Sequence, residues 1–109
     1  MIYRPLPKWW GTRTVTELLS DIAIQRELGT LNGWSRRGAT IVKTYQFPTF
    51  PEGIAFVGRV ATLAEMAGHH PDMDIRYTKI ICSLSTHDRG GITQKDLDLA
   101  RAMDSVLED

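Results

Sequence analysis

The sequence lacks the features of a disulfide-stabilised, nucleic-acid-binding or membrane-spanning protein. Its 109 residues include one cysteine, Cys82, which excludes an internal disulfide and fits a reducing compartment. Thirteen basic and thirteen acidic side chains cancel, so no basic excess is available to hold a phosphate backbone, and direct nucleic-acid binding is not expected.

Long apolar runs are also missing. The longest run of aliphatic or aromatic side chains, at residues 54–57, has four members, whereas a membrane span needs about 20. The first ten residues contain two prolines and two basic side chains, without an apolar stretch of signal-peptide length. We therefore expect a cytoplasmic protein that makes no contact with a membrane.

The length allows one domain with one hydrophobic core. Residues 1–13 contain Pro5 and Pro7 and are expected to form an irregular arm, so that residues 14–109 form the domain. The pattern from Thr14 to Glu17 fits a capping box and predicts the start of a first helix there. Glycines are expected to end this helix from position 29 onwards.

The remaining pattern predicts four strands and two further helices. Alternating β-branched and aromatic residues indicate a strand at 39–47, after a short strand near 34–36, and two more strands follow at 73–77 and 79–86. Helices are expected over 51–67, ending at Gly68, and after the cap signature at 93–96. Their predicted inner residues are Ile54, Val57, Ala61 and Ala64 in the former, and Leu97, Ala100, Met103 and Leu107 in the latter.

This order of elements predicts an α+β two-layer domain. Short connections make the four strands antiparallel, and the three helices are expected to pack on one face of the sheet, in the order α-β-β-α-β-β-α.

The three histidines of the chain lie in two short segments, His69 and His70 after the predicted second helix and His87 at the end of the last strand. Imidazole titrates nearest to neutral pH, so it is the usual group for moving a proton in both directions. If the last strand is central and the helix packs across it, the two segments meet at one end of the sheet.

Three interpretations of these histidines compete. With Glu65 they could ligate zinc, but the chain has no His-x-x-x-His pair and no Cys-x-x-Cys motif, and adjacent histidines rarely face one ion. They could be ordinary surface or core residues, which explains one histidine better than a set of three. The third interpretation is acid–base catalysis, because losing water from a carbon next to nitrogen requires one proton to be delivered and another to be removed.

The spacing of these residues resembles the signature of the pterin-4a-carbinolamine dehydratases over about residues 31–107. The resemblance depends on Gly33-Trp34, Phe47, Glu65-x-x-x-His69-His70-Pro71, Tyr77 and Ser85-Thr86-His87-Asp88-x-Gly90-Gly91-Ile92-Thr93-x-x-Asp96. It implies dehydration of 4a-hydroxytetrahydropterin to quinonoid dihydropterin, a step that recycles the tetrahydropterin cofactor. It further implies that the pterin is the substrate, that no other cofactor or metal is needed, and that the protein forms a homodimer or homotetramer.

The resemblance also implies residue roles. His69 and His87 would be the acid–base pair, and His70 would complete the catalytic set by binding and orienting the pterin. The carboxylates of Glu65 and Asp96 would line the substrate site and orient or charge-stabilise an imidazole. Trp34 matches a pocket-side position, although a place in the core fits it equally well.

A protein-interaction module on the same fold is the alternative function. Animal members of the family also serve as dimerisation cofactors of a transcription factor, and some plant and bacterial relatives are assembly chaperones for Rubisco. The chaperone-type relatives lack the histidine set, whereas this chain has all three histidines. The sequence therefore favours the enzyme.

Overall fold

The computed structural model describes residues 17–108, so the predicted arm at 1–13 and the predicted cap residue Thr14 lie outside the described part. Four strands form one antiparallel sheet in the order β1-β2-β4-β3, and three helices pack on one face of it. The predicted α+β architecture is confirmed. The strands are β1 (Ser35–Arg37), β2 (Thr40–Gln46), β3 (Asp72–Arg76) and β4 (Lys79–Leu84), and the helices are α1 (Asp21–Leu28), α2 (Phe50–Ala67) and α3 (Gln94–Ser105).

The core lies between the helices and the inner face of the two central strands. In the register of β2 with β4, Ile41 lies opposite Leu84 and Tyr45 opposite Ile80, so that all four side chains share one face. Each of them is buried. The helices cover this face with the buried side chains Ile24, Phe56, Val60, Leu97, Ala100 and Met103.

Helix α2 begins and ends where the sequence predicted, but its buried face is different. Ile54 is 40% exposed and Ala61 is also exposed, so this part of the predicted inner face is wrong. The helix instead buries Gly53, Phe56, Val60 and Ala64. The face turns because the Phe56 ring packs on the ring of Tyr45, with centroids 4.5 Å apart, and burying a phenylalanine outweighs burying smaller side chains.

The first helix starts later than the capping-box pattern predicted. Helix α1 begins at Asp21, and the Ser20 hydroxyl caps it by accepting from the backbone N–H of Ala23. The backbone just before Ser20 pairs with the segment that precedes α3. Leu18 forms a β-bridge with Thr93, and the Leu19 N–H donates to the Ile92 carbonyl at 3.0 Å. Pairing with a segment distant in sequence therefore overrides the local helical pattern.

Helix α3 matches its predicted start. Thr93 and Asp96 form the predicted capping box, and the predicted inner residues Leu97, Ala100 and Met103 are buried. Leu107 was predicted to join them but is 49% exposed. It lies beyond the end of α3 in a 3₁₀ turn, Val106–Glu108, whose tighter winding changes the direction of the side chains. No helix within residues 17–108 is both long enough and apolar enough to cross a membrane.

Candidate active site

The centre of the candidate site is the carboxylate of Asp96, which is fully buried at the start of α3. Its Oδ1 lies 2.5 Å from Nε2 of His69. Its Oδ2 accepts from the Thr86 hydroxyl and from the backbone N–H of Thr93, both at 2.9 Å. A buried carboxylate must have its lone pairs satisfied, and donors from three parts of the chain do so here.

Three elements end at this carboxylate and bring the two histidine segments together. Helix α2 ends at Gly68 in the left-handed conformation (φ 63°), which favours glycine and reverses the chain into His69. Strand β4 runs into Thr86, which forms an isolated bridge with Gly91. Because His69 and Thr86 contact the same carboxylate, the segment carrying His87 lies beside the one carrying His69.

The contact with Asp96 indicates which ring nitrogen of His69 carries the hydrogen. An ionised carboxylate only accepts hydrogen bonds, so the Nε2 of His69 carries the hydrogen that it donates to Oδ1. The Nδ1 atom of the same ring is then the nitrogen without a hydrogen, which can accept one from another group. The side chain of His69 is 11% exposed, so a small part of it is accessible at the surface.

His70 forms a second imidazole–carboxylate pair, with its Nε2 2.5 Å from Oε2 of Glu65. Both side chains are largely exposed, at 60% for His70 and 78% for Glu65. The chain reversal after α2 brings His70 back over the last turn of the helix that carries Glu65. The predicted partnership of a histidine with Glu65 is therefore present, at the surface rather than in the core.

His87 is the first residue of a 3₁₀ turn, His87–Arg89, directly after Thr86. Its side chain is exposed. Within residues 17–108 the imidazole makes no hydrogen bond, ion pair or ring contact, so both ring nitrogens are available to a ligand. His87 thus differs from His69, whose imidazole is held by a buried partner.

Trp34 belongs to a different group of side chains. It is 5% exposed, and its indole N–H donates to Asp104 at 3.1 Å. Asp104 also accepts from the Lys43 ammonium at 2.9 Å and from the Tyr45 hydroxyl at 2.5 Å. We name these four residues the Asp104 network. Burial and the neighbouring Asp104 together raise the pKa of Tyr45 above its usual range. The core position that the sequence also allowed for Trp34 is the one observed.

Cys82 is fully buried on β4, and burial raises the pKa of its thiol to about 12, so it packs as a small apolar side chain. Among residues 17–108, no three histidine, cysteine or carboxylate side chains are grouped so that they could hold a metal ion.

Sequence reasoning gave Thr86 no role and gave Thr93 only a role in capping α3, although both lie within the motif that it singled out. Both side chains are buried, and both residues donate a hydrogen bond to the Asp96 carboxylate, Thr86 from its hydroxyl and Thr93 from its backbone N–H. The usable signal was the pair of hydroxyl residues Ser85 and Thr86 directly before His87, together with Thr93 as the cap residue of α3.

Known proteins match most of this chain. The family model described as pterin 4 alpha carbinolamine dehydratase matches residues 17–106. A relative from Roseiflexus sp. (strain RS-1) is 58% identical over 89 residues, which are 82% of this chain and 96% of the relative. One from Nocardia farcinica (strain IFM 10152) is 52% identical over 91 residues, 84% of this chain and 96% of the relative. Both are provisionally named pterin-4-alpha-carbinolamine dehydratase.

Solved structures share the fold. A transcriptional coactivator/pterin dehydratase from Brucella melitensis superposes with a TM-score of 0.80 at 27% identity, covering 83% of this chain and 98% of its own. A pterin dehydratase-like protein identified as a RuBisCO assembly factor in the alpha-carboxysome gives a TM-score of 0.57 at 19% identity, covering 67% and 84%, a likeness of fold alone. From the family match and the two relatives, this chain belongs to the pterin 4 alpha carbinolamine dehydratase family.

Proposed function

We propose that the protein catalyses dehydration of 4a-hydroxytetrahydropterin to quinonoid dihydropterin and thereby recycles a tetrahydropterin cofactor. One observation carries the proposal. The His69 imidazole contacts a fully buried carboxylate, Asp96, which also accepts hydrogen bonds from Thr86 and Thr93. The exposed His87 directly follows Thr86 in the chain. Family membership supports the same reaction class.

The reaction requires two proton transfers and no change of oxidation state. The C4a–O bond breaks, and the hydroxyl takes a proton as it leaves as water. The proton on the neighbouring N5 is removed, and the electron pair of that N–H bond forms the C4a=N5 double bond. An acid and a base on one surface are therefore sufficient.

In our proposal His69 is the base. Its Nε2–H is directed at Asp96, so Nδ1 takes the N5 proton, and the buried carboxylate stabilises the imidazolium that forms. The exposed His87 is the acid that protonates the leaving hydroxyl. Proton exchange with solvent then returns both rings to their starting states.

The remaining predicted site residues have binding roles in this proposal. His70, oriented by Glu65, donates or accepts hydrogen bonds at the pterin ring, and both lie at the surface where a ligand can reach them. The pocket role predicted for Trp34 rests on family resemblance alone, because its observed partners are Tyr45 and Asp104.

We further propose that the protein works in the cytoplasm as a homodimer or homotetramer, with the pterin as substrate and without another cofactor or metal. The buried cysteine fits a reducing compartment. The outer β3 strand is paired on one side only, and an edge strand can pair with a second copy.

An interaction role on the same fold is the second candidate. It is favoured by the Brucella protein, which is described as both a transcriptional coactivator and a pterin dehydratase. The two functions predict different effects of removing the histidines, because a binding surface does not need imidazole proton transfer.

The test is stopped-flow absorbance of 4a-hydroxytetrahydropterin decay with purified protein. We expect the wild type to accelerate decay and the His69→Ala, His87→Ala double variant to lose that acceleration, while circular dichroism shows both to be folded. If folded wild-type protein gives no acceleration, the dehydratase proposal is wrong, and the interaction role becomes the better account.

A further inference from the structure

Two threonine hydroxyls form a short chain that ends at Oδ2 of Asp96, the carboxylate oxygen that His69 does not contact. Thr86 is 3% exposed and Thr93 is fully buried. Their hydroxyl oxygens are 2.7 Å apart, and the Thr86 hydroxyl is also 2.9 Å from Oδ2 of Asp96. The Thr93 oxygen also accepts from the backbone N–H of Lys95 at 3.3 Å.

The direction of these hydrogen bonds follows from the number of protons. A hydroxyl donates only one hydrogen, and that of Thr86 goes to Asp96, which can only accept. The contact between the hydroxyls must therefore run from Thr93 to Thr86. Asp96 Oδ2 receives two donors, from Thr86 and from the Thr93 backbone, which fixes the carboxylate plane and leaves Oδ1 for His69.

The Thr86 contact goes beyond what helix capping requires. The capping box between Thr93 and Asp96 is complete without it. Thr86 lies two residues after the end of β4, at the start of the turn that follows. Its carbonyl accepts from the Arg89 N–H at 3.0 Å, and its N–H donates to the Gly91 carbonyl at 2.8 Å. Thr86 thus contacts the Asp96 carboxylate that binds His69, and it also holds the start of the turn that carries His87.

We propose that Thr86, supported by Thr93, is a positioning residue that holds His69 in a single tautomer and fixes the base of the His87 turn. The inference rests on the proposed dehydratase function for its kinetic consequence. Its structural consequence, a single His69 tautomer with hydrogen on Nε2, does not depend on that function.

The kinetic test compares Thr86→Val, which has nearly the same shape but no hydroxyl, with Thr86→Ser, which retains the hydroxyl. We expect the valine variant to lower kcat roughly 10-fold or more, as removal of an orienting partner commonly does, with little change in KM. The serine variant should recover most of the loss. Ser85→Ala is the matched control, because Ser85 is a buried neighbour whose hydroxyl donates to the Ala39 carbonyl at 2.8 Å and not to Asp96.

The spectroscopic test is ¹⁵N nuclear magnetic resonance of the His69 ring in the same four proteins, with resonances assigned from the single histidine variants. We expect one tautomer in the wild type, Thr86→Ser and Ser85→Ala, and a mixture in Thr86→Val. A wild-type His69 tautomer in Thr86→Val, or an equal disturbance in Ser85→Ala, would overturn the positioning role. If the wild type proves inactive as a dehydratase, the tautomer readout still decides this inference separately.

Discussion

Two of the three aspartates of helix α3, Asp96 and Asp104, each accept three hydrogen bonds, and the two sites differ in the chemistry of the donors. Asp96, in the first turn, receives an imidazole, a hydroxyl and a backbone N–H. Asp104, in the last turn, receives an indole N–H, an ammonium and a phenol. Imidazole ordinarily titrates near pH 6.5, whereas phenol and ammonium groups titrate near pH 10 and indole does not titrate in this range. Of the two sites, the one at Asp96 contains the type of side chain that proteins most often use for proton transfer.

The positions of the two carboxylates on the helix explain this division. The positive end of the helix dipole favours the negative charge of Asp96, so neutral donors suffice there. At the negative end the same charge is disfavoured, and the Asp104 network supplies the Lys43 cation, 2.9 Å away. A carboxylate that needs no cation can have a neutral imidazole as its partner. The candidate active site therefore lies at the end of the helix that carries Asp96.

The largest expected effect comes from removing either proton-transfer group. His69→Ala and His87→Ala should each lower kcat roughly 10²-fold or more, as expected for loss of a general acid or base. Steady-state and single-turnover kinetics of carbinolamine dehydration measure this directly. Near-wild-type turnover in both variants would contradict the assignment of these two histidines.

A smaller, different effect is expected at the exposed pair of His70 and Glu65. Loss of one ligand hydrogen bond worth about 1.4 kcal/mol weakens binding roughly 10-fold, so His70→Ala should act mainly on KM. Initial rates over a range of pterin concentrations separate the two constants. An effect confined to kcat would count against a binding role and place His70 in the chemical step.

Trp34→Phe tests whether Trp34 acts in the Asp104 network or in the substrate site. It removes the indole donor to Asp104, and we expect the free energy of unfolding to fall by about 1–2 kcal/mol, with KM unchanged. Urea denaturation and steady-state kinetics give the two quantities. A large rise in KM at wild-type stability would restore the pocket-side role that the sequence suggested.

The smallest effect is a dependence of stability on alkaline pH. The pKa of Tyr45 is raised in the folded protein by burial and by Asp104, so folding favours the neutral phenol. This contribution is fully present below the usual tyrosine pKa of about 10 and is lost as pH rises above it. Cys82, with its pKa raised to about 12 by burial, acts in the same direction.

Denaturation midpoints between pH 8 and about pH 11 should therefore fall less steeply in Tyr45→Phe than in the wild type. Tyr77→Phe is the matched control, because Tyr77 is 75% exposed. If Tyr45→Phe and the wild type lose stability with the same slope, burial of the Tyr45 phenol does not contribute to the pH dependence.

The sequence predicted those features that depend on neighbouring residues. Alternation in 39–47 predicted β2, and the cap pattern from Thr93 to Asp96 predicted the start of α3. The motif also named His69 and Asp96, which the structure joins. Local patterns failed where distant partners decide, as at Leu18, whose bridge to Thr93 prevents the predicted helical turn.

The Asp104 network could not have been predicted from sequence. Lys43 lies in the middle of β2 and reads as an ordinary exposed strand lysine, yet it is on the inner face, opposite Cys82. Its partner Asp104 is 61 residues further along the chain. Nothing local indicates that contact, and it follows only from packing α3 across the sheet.

The most direct test is to substitute the two aspartates in parallel, as Asp96→Asn and Asp104→Asn, and to measure dehydration of 4a-hydroxytetrahydropterin by stopped flow, with thermal unfolding alongside. Asparagine keeps the shape of the side chain and removes the charge in both places. We predict that Asp96→Asn lowers kcat on the order of 10²-fold or more, while Asp104→Asn lowers the unfolding midpoint and leaves kcat near that of the wild type. Equal losses of kcat in the two folded variants, or a larger loss in Asp104→Asn, would contradict the account.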